Sequence, residues 1–294
     1  MSISEINSAA KVLVKGNKLK FFFYTFLAPV IIFVLPTIGI AAALFSNLWI
    51  MAVTLLLFSL VASLLLYGVS FGLNYNFFLK IAKDGKGTLS SVFGVFKNKV
   101  FLNAIAYYIL ISLLSGALTT VSQSSSFLTL LSVDSTAALI SFIISSVLLI
   151  AVSIACIVVS LKLSLVPYII ADRHKNIFDS IKESWSIMKG NCFKYIRLHL
   201  LYAFQILVIY ILVGVLSGVA TYFLSDKTVY LSLPAISYLP YDLSGDVPLV
   251  IFAVIGLVSA ATVLLSFTVF PRLNTARALF YYEVANPTAT GGKV

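Results

Sequence analysis

The chain of 294 residues has few charged side chains, and its 10 acidic residues are outnumbered by 20 basic ones. Only 10% of its residues are charged and 61% are hydrophobic, so a soluble domain of this length would lack the polar surface needed to cover its core. The mean hydropathy of +1.07 likewise indicates too little polar surface for a soluble domain. These shortages exclude an ordinary soluble domain and predict an integral membrane protein, for which lipid is the solvent.

Cysteine, histidine and carboxylate side chains are too scarce and too scattered to indicate a reactive centre. Cys156 lies inside a hydrophobic run and Cys192 at the boundary of another, so neither a disulfide nor metal-ligand spacing is expected. No Asp, Glu or His lies in the middle of a hydrophobic run, whereas acid–base catalysis needs titratable groups at one depth. We therefore expect no catalytic residue, no metal site, no cofactor and no enzyme activity.

Six hydrophobic runs are long enough to cross a hydrocarbon core of about 30 Å as helices. The sequence thus predicts an all-α polytopic bundle of six transmembrane helices, with kinks at Pro29 and Pro36 and bends at Pro167 and Pro271. The predicted spans are Phe21–Leu44, Leu48–Leu79, Val100–Leu118, Ala137–Ile170, Leu198–Leu224 and Leu249–Phe270.

The basic residues alternate with the predicted spans. Of the 20 Lys and Arg residues, 18 fall in residues 1–20, 80–99, 172–197 and 272–294, and Lys162 lies near the same side. The opposite connections contain one, Lys227. Because Lys and Arg resist translocation, the chain is predicted to be a multi-pass protein of the plasma (inner) membrane with both termini cytoplasmic. The net charge of +10 then indicates anionic lipid headgroups on the cytoplasmic side as partners rather than nucleic acid.

The chain is predicted to be a single membrane domain over residues 1–294, with residues 286–294 as a flexible tail. Short breaks read Lys15-Gly16-Asn17, Lys97-Asn98-Lys99 and Lys189-Gly190-Asn191. Each precedes a pair of hydrophobic runs, which suggests three helix-hairpin repeats over residues 1–80, 81–171 and 172–285. Chance similarity within apolar sequence is the alternative explanation.

An amphipathic helix is predicted over Ile177–Lys189. Ile177, Ile181, Trp185 and Met188 recur at helical spacing, and charged residues, Lys182 among them, lie between them. Such a helix lies in the headgroup plane with its apolar residues buried and Lys182 exposed. The cytoplasmic amphipathic helices either serve as connecting helices that pack beneath the bundle, or they form a surface for anionic lipid, a protein partner or a second copy of the chain.

Two amides lie within predicted spans, Asn103 and Gln205. Because an unpaired amide in hydrocarbon is costly, they are expected either to bond between helices or to line a polar cavity. Three pairs of small residues four apart, which favour close helix approach, are also present: Gly68 with Gly72, Ser112 with Gly116, and Gly214 with Gly218.

The segment from Lys162 to Leu201 resembles the uncharacterised bacterial inner-membrane family of the YciC type and the related membrane domain of some glycerophosphodiester phosphodiesterases. The similarity rests on the Val166-Pro167-Tyr168 step, the polar turn from Ala171 to Asn176 and the helix carrying Ser180 and Ser184. The closing segment from Pro271 to Glu283 is similar to the family's last helix. The resemblance implies a helical membrane protein and brings no catalytic residues.

Two functions follow from these patterns. One is a non-catalytic membrane protein that organises lipid or a partner protein through its cytoplasmic amphipathic helices. The other is a transporter or channel for a small or lipidic solute, which the repeats and the prolines favour. The lack of charges in the middle of the spans argues against coupled transport.

Overall fold

The computed structural model describes residues 1–22, 37, 48–97, 99–131, 135–224, 228–229 and 247–286. Most of the first predicted span, with Pro29 and Pro36, lies outside these residues, as does the predicted tail after Asn286. The described part is helical apart from one pair of two-residue strands, which confirms the predicted helical class.

The helices are named here in chain order. They are α1 (Ile3–Lys15), α2 (Leu48–Phe71), α3 (Phe78–Asp84), α4 (Leu89–Phe93), α5 (Val100–Leu131), α6 (Ser135–Leu163), α7 (Val166–Arg173), α8 (Ile177–Met188), α9 (Cys192–Leu224) and α10 (Leu249–Ala285). A π-helix, Gly72–Phe77, joins α2 to α3, and a 3₁₀ turn, Gly94–Phe96, follows α4. The strands β1 (Thr228–Val229) and β2 (Val247–Pro248) pair antiparallel.

Four helices within the described residues are long and apolar enough to cross a membrane: Ala52–Asp84, Ser146–Arg173, Cys192–Val219 and Val254–Ala285. A fifth is added if Leu89–Phe96 and Val100–Gly116, which meet at 83°, count as one span. The described helices thus overlap five of the six predicted runs. They suggest a membrane-embedded protein.

Helices α5 and α10 extend furthest past their predicted ends. Helix α5 continues from its predicted end at Leu118 to Leu131, and α10 continues through Pro271 to Ala285. The chain therefore does not leave the helix at Pro271, although a proline lacks the amide needed for one helical hydrogen bond. Pro167 by contrast lies in the first turn of α7, where no such bond is lost.

The chain divides into two compact units. The first contains residues 1–196 and the chain from Asn274 onward, and the second contains residues 197–273. The second unit consists of most of α9, the strand pair and the first part of α10, and its buried residues include Tyr202 and Leu265. All sites described below lie in the first unit.

The π-helix marks a close contact between α2 and α4. A Cβ atom on Gly72 would collide with the backbone carbonyl of Val92, and one on Gly68 would strike the ring of Phe96. The extra residue per turn of a π-helix lets the α2 chain widen where α4 lies against it. The predicted close approach at Gly68 and Gly72 is confirmed.

The other two small-residue pairs do not bring helices together within the described part of the chain. A Cβ on Gly116, Gly214 or Gly218 would meet no atom within 4 Å. The prediction of close approach at these pairs is therefore wrong for the described residues. Spacing alone does not distinguish a contact from an open face, because small residues are common in apolar helices.

Replacing Gly72 by Ala is expected to lower the unfolding temperature markedly or prevent a monodisperse product, because the methyl group collides with backbone that cannot rotate away. Gly116→Ala serves as the control, since open space surrounds that position. Thermal unfolding in detergent measures both. Equal effects of the two substitutions would contradict the contact.

Candidate functional site

One end of the first unit forms a layer of short helices, which we call the basal layer. It contains α1, the π-helix with α3 and α4, α7 and α8, the first residues of α9 and the last turns of α10. Here α7 packs against α8 and the π-helix, and α4 packs against the π-helix. Within the described part of the first unit, the polar and charged side chains that bond to residues far away in the sequence lie mainly in this layer.

Three carboxylates connect the helices of the basal layer. Asp172 on α7 pairs with Lys83 on α3 and accepts a 3.0 Å hydrogen bond from the Tyr281 hydroxyl on α10. Its side chain is only 10% exposed. Glu183 on α8 pairs with Arg173 and with Lys175, the latter at 2.8 Å. Each carboxylate thus has at least two partners, an arrangement that favours a fixed geometry over a solvated ion pair.

Glu283 connects the remaining elements. One of its oxygens accepts from Lys194 Nζ at 3.0 Å and from the amino group of Met1. The first residues of α1 and α9 are therefore held to the end of α10. Arg173 adds a 3.2 Å hydrogen bond to the carbonyl of Ala285 on the same helix.

Buried tyrosines lie next to these ion pairs. The rings of Tyr168 and Tyr281 stack with centroids 5.6 Å apart, and Tyr75 contacts Tyr168 edge-on at 5.2 Å. Tyr107 in turn meets Tyr75 at 6.2 Å. The Tyr168 hydroxyl is buried without a hydrogen-bond partner among the described residues. No local sequence pattern marks this cluster, because its members come from four separate segments.

Helix α8 has a different inner face from the one predicted. Ser180, Ser184 and Met188 are fully buried, and the Ser184 hydroxyl donates to the carbonyl of Lys162 at 2.6 Å. Ile177 and Ile181 are half-buried. The two serines fit because a small side chain lets α8 lie close to α6, which the apolar periodicity could not reveal.

Trp185 is a correction to the prediction of a buried residue. It is 45% exposed and lies on the outer side of α8 with Phe178, which is 74% exposed. Lys182, one turn from each, is exposed on the same side, as predicted. The Lys162 ammonium group lies 5.6 Å from the centre of the Trp185 ring. We call the exposed row of Phe178, Lys182 and Trp185 the outer stripe of α8.

The two predicted amides occupy different places. The Asn103 side chain donates to the carbonyl of Lys175, between α7 and α8, at 3.2 Å. It therefore lies near the basal layer rather than at mid-span. Gln205 is half-exposed on the part of α9 that belongs to the second unit. A cavity lined by these residues remains a prediction.

A half-open groove of about 380 Å³ lies between α2 and α5. Helix α5 contributes residues that recur every three or four positions, which places them on one face. The lining residues are Leu64, Tyr67, Ile105, Tyr108, Ile109, Ser112 and Leu113. No sequence pattern marks the groove, because the groove depends on how two apolar helices meet.

Two of the predicted repeat breaks share their local structure. The side-chain amides of Asn17 and Asn191 each donate to the backbone carbonyl four residues earlier, at 3.0 and 2.8 Å. The backbone carbonyl of each asparagine accepts the first helical hydrogen bond of the following segment. The donors are the amides of Phe21 for Asn17 and of Tyr195 for Asn191. The helices before the breaks also begin alike, since Ser2 and Asn176 both accept from the amide three residues later.

The buried faces of α1 and α8 follow the same spacing. Ile6, Ala10 and Val14 are buried in α1, and Ser180, Ser184 and Met188 are buried in α8 at the same distances before the asparagine. The third break contains Asn98, which lies outside the described residues. The glycines differ, because Gly190 has a φ of 91° and Gly16 has −78°.

The titratable side chains among the described residues serve mainly in structural pairs. Among them, no group of three His, Cys, Asp or Glu side chains could hold a metal ion. Both cysteines are free. The basal layer joins cations and carboxylates into structural pairs, and the outer stripe of α8 combines aromatic and basic side chains.

Comparison with known proteins finds no matching family model, no matching curated protein and no matching solved structure. The class of protein therefore rests on the described helices, which are those of a helical membrane protein.

Asn17→Ala is expected to destabilise the protein more than Asn191→Ala. Asn17 also donates to the carbonyl of Gly85 and accepts from the amide of Gly87, both near 3 Å, and it is 4% exposed. Losing these hydrogen bonds costs about 2–3 kcal/mol, against about 1 kcal/mol for the single local bond of Asn191. Denaturant titrations in detergent measure both changes. Equal losses would show that the Asn17 contacts with residues 85–87 contribute nothing.

Proposed function

We propose that this protein is a non-catalytic integral membrane protein that organises anionic lipid, or a partner protein, at the cytoplasmic face of the inner membrane. The observation that supports this most is the outer stripe of α8. Its aromatic and lysine side chains are exposed, while the opposite face of the same helix is fixed against the protein by Ser184 and Met188. A fixed helix with an exposed aromatic and basic row is suited to the headgroup region.

The proposal assigns a role to each part of the stripe. Phe178 and Trp185 insert their rings among the headgroups and upper acyl chains, and Lys182 attracts anionic headgroups. Each basic residue close to an anionic surface contributes about 1 kcal/mol. The cation–π contact of Lys162 with Trp185 holds the indole in place.

The finer architecture is part of the same proposal. It comprises six spans, both termini in the cytoplasm, and three helix-hairpin repeats in a member of the YciC-type family. The matched caps, buried positions and asparagine hydrogen bonds of α1 and α8 support the repeats. The ion pairs of Glu283 with Lys194 and Met1 support placing both ends of the chain on one side.

The alternative, a transporter or channel, remains a second hypothesis. It requires a polar path through the spans, for which Asn103 and Gln205 were the candidates. Asn103 instead bonds to the backbone between α7 and α8. We therefore give the binding function precedence.

A topology reporter fused after Val294 is expected to read cytoplasmic, and one inserted into residues 118–136 is expected to read external. The reason is the concentration of basic residues on the opposite side of the predicted spans. Alkaline phosphatase and green fluorescent protein fusions measure the two locations. The reverse pattern would overturn the orientation.

Trp185→Glu is expected to weaken the association with anionic lipid or with a co-purifying partner by about tenfold, because it removes an aromatic anchor and adds a repelled charge. Lys182→Gln removes one attraction of about 1 kcal/mol and should weaken the association by no more than about fivefold, and Trp185→Phe should restore most of the loss. Lipid retention and co-purification from native membranes measure the effect. If Glu and Phe at position 185 behave alike, the outer stripe is not the binding surface.

A further inference from the structure

We propose that the groove between α2 and α5 holds one acyl chain of a membrane glycerophospholipid, whose ester carbonyls accept hydrogen bonds from Tyr67 and Tyr108. This inference rests on the proposed lipid-organising function and names a ligand at a second place, distinct from the outer stripe of α8. The groove has a volume of about 380 Å³, within the range of small-molecule sites.

The surroundings of the groove require an apolar occupant. Both walls belong to candidate membrane-crossing helices, Ala52–Asp84 and the bent pair that includes Val100–Gly116. Leu64, Ile105, Ile109 and Leu113 supply most of the lining. An extended peptide would leave its backbone amides unpaired against such a surface, whereas a hydrocarbon chain leaves no polar group unsatisfied.

Two hydroxyl groups make the groove more than an apolar surface. The rings of Tyr67 and Tyr108 lie 5.1 Å apart, and both side chains line the groove. A phenol in apolar surroundings is costly unless it donates a hydrogen bond. The ester carbonyls of a glycerophospholipid lie at the boundary between headgroup and acyl chains, which is the depth that tyrosine favours.

The positive charge just before the start of α5 complements a phosphate. Lys97 and Lys99 are exposed just before this helix begins. Lys99 precedes Ile105 by six residues, or about 9 Å along a helix. A phospholipid with its chain in the groove thus directs its phosphate toward these two cations, and an anionic headgroup is favoured over a zwitterionic one.

The first test compares two leucines on α5. Leu113 lines the groove and is 67% exposed, and Leu102 is 68% exposed but does not line it. Leu113→Trp fills the groove, whereas Leu102→Trp adds the same bulk elsewhere. The proteins are reconstituted with equal amounts of phosphatidylglycerol and phosphatidylcholine and examined by native mass spectrometry. We expect retained phospholipid to fall about tenfold in Leu113→Trp only.

Three results would overturn the assignment. The wild-type protein retains no phospholipid, the two tryptophan variants lose it equally, or the wild type forms a dimer that Leu113→Trp breaks without any change in bound lipid. The last result would make the occupant a second copy of the chain. Circular dichroism and size-exclusion chromatography confirm that each variant is folded before the comparison.

The second test concerns the hydroxyl groups. A phospholipid with ether linkages has no ester carbonyl, so the wild type should retain it about fivefold less than the ester form. The Tyr67→Phe/Tyr108→Phe variant should bind the two lipids equally. Equal retention by the wild type would refute the hydrogen bonds. Added to Leu113→Trp and to Leu102→Trp, Trp185→Glu should leave the difference in retained phospholipid between those two variants unchanged, which separates failure of this site from failure of the outer stripe.

Discussion

The scarcity of carboxylates determines how the first unit is built. Among the acidic residues that the structure describes, Asp172, Glu183 and Glu283 are the ones placed between helices of the basal layer, and each takes at least two partners. Together they join α1, α3, α7, α8, α9 and α10. Breaking such a pair leaves an uncompensated charge in a partly buried site, which is more costly than losing an exposed pair. The surfaces of α8 depend on this arrangement, because Glu183 binds Arg173 at the end of α7 and Lys175 in the turn that precedes α8.

The sequence predicted where helices form better than it predicted which face of a helix is buried. Long apolar runs have only one stable form in lipid, so the helices and most of their starting points followed from hydropathy. The inner face of α8 did not follow, because periodicity places Trp185 with Ile181 and Met188. The structure uses Ser180 and Ser184 for contact and exposes Trp185. In a membrane protein an apolar residue gains as much from lipid as from a protein neighbour, so hydrophobicity ceases to indicate the interior.

The sequence was equally limited in predicting the candidate sites. Asn103 was recognised as costly in hydrocarbon, and it does bond to other protein groups, but its partner is the backbone of Lys175. The groove and the tyrosine cluster arise from segments far apart in the chain, and their residues carry no local pattern. The likeness between α1 and α8 was predicted from the Gly-Asn breaks and from the pair of hydrophobic runs that follows each of them. Their hydrogen bonds and buried spacing extend that likeness to the whole of each helix.

The π-helix has a consequence for the register of everything that follows it. A π-helical turn contains one residue more than an α-helical turn would at the same place. Each residue of an α-helix advances the side chains by about 100° around its axis. Shortening Gly72–Phe77 by one residue would therefore turn the side chains of Phe78–Asp84 by roughly a quarter of a circle and carry Lys83 away from Asp172. A single inserted residue thus sets the angle at which the helix Ala52–Asp84 reaches its ion pair.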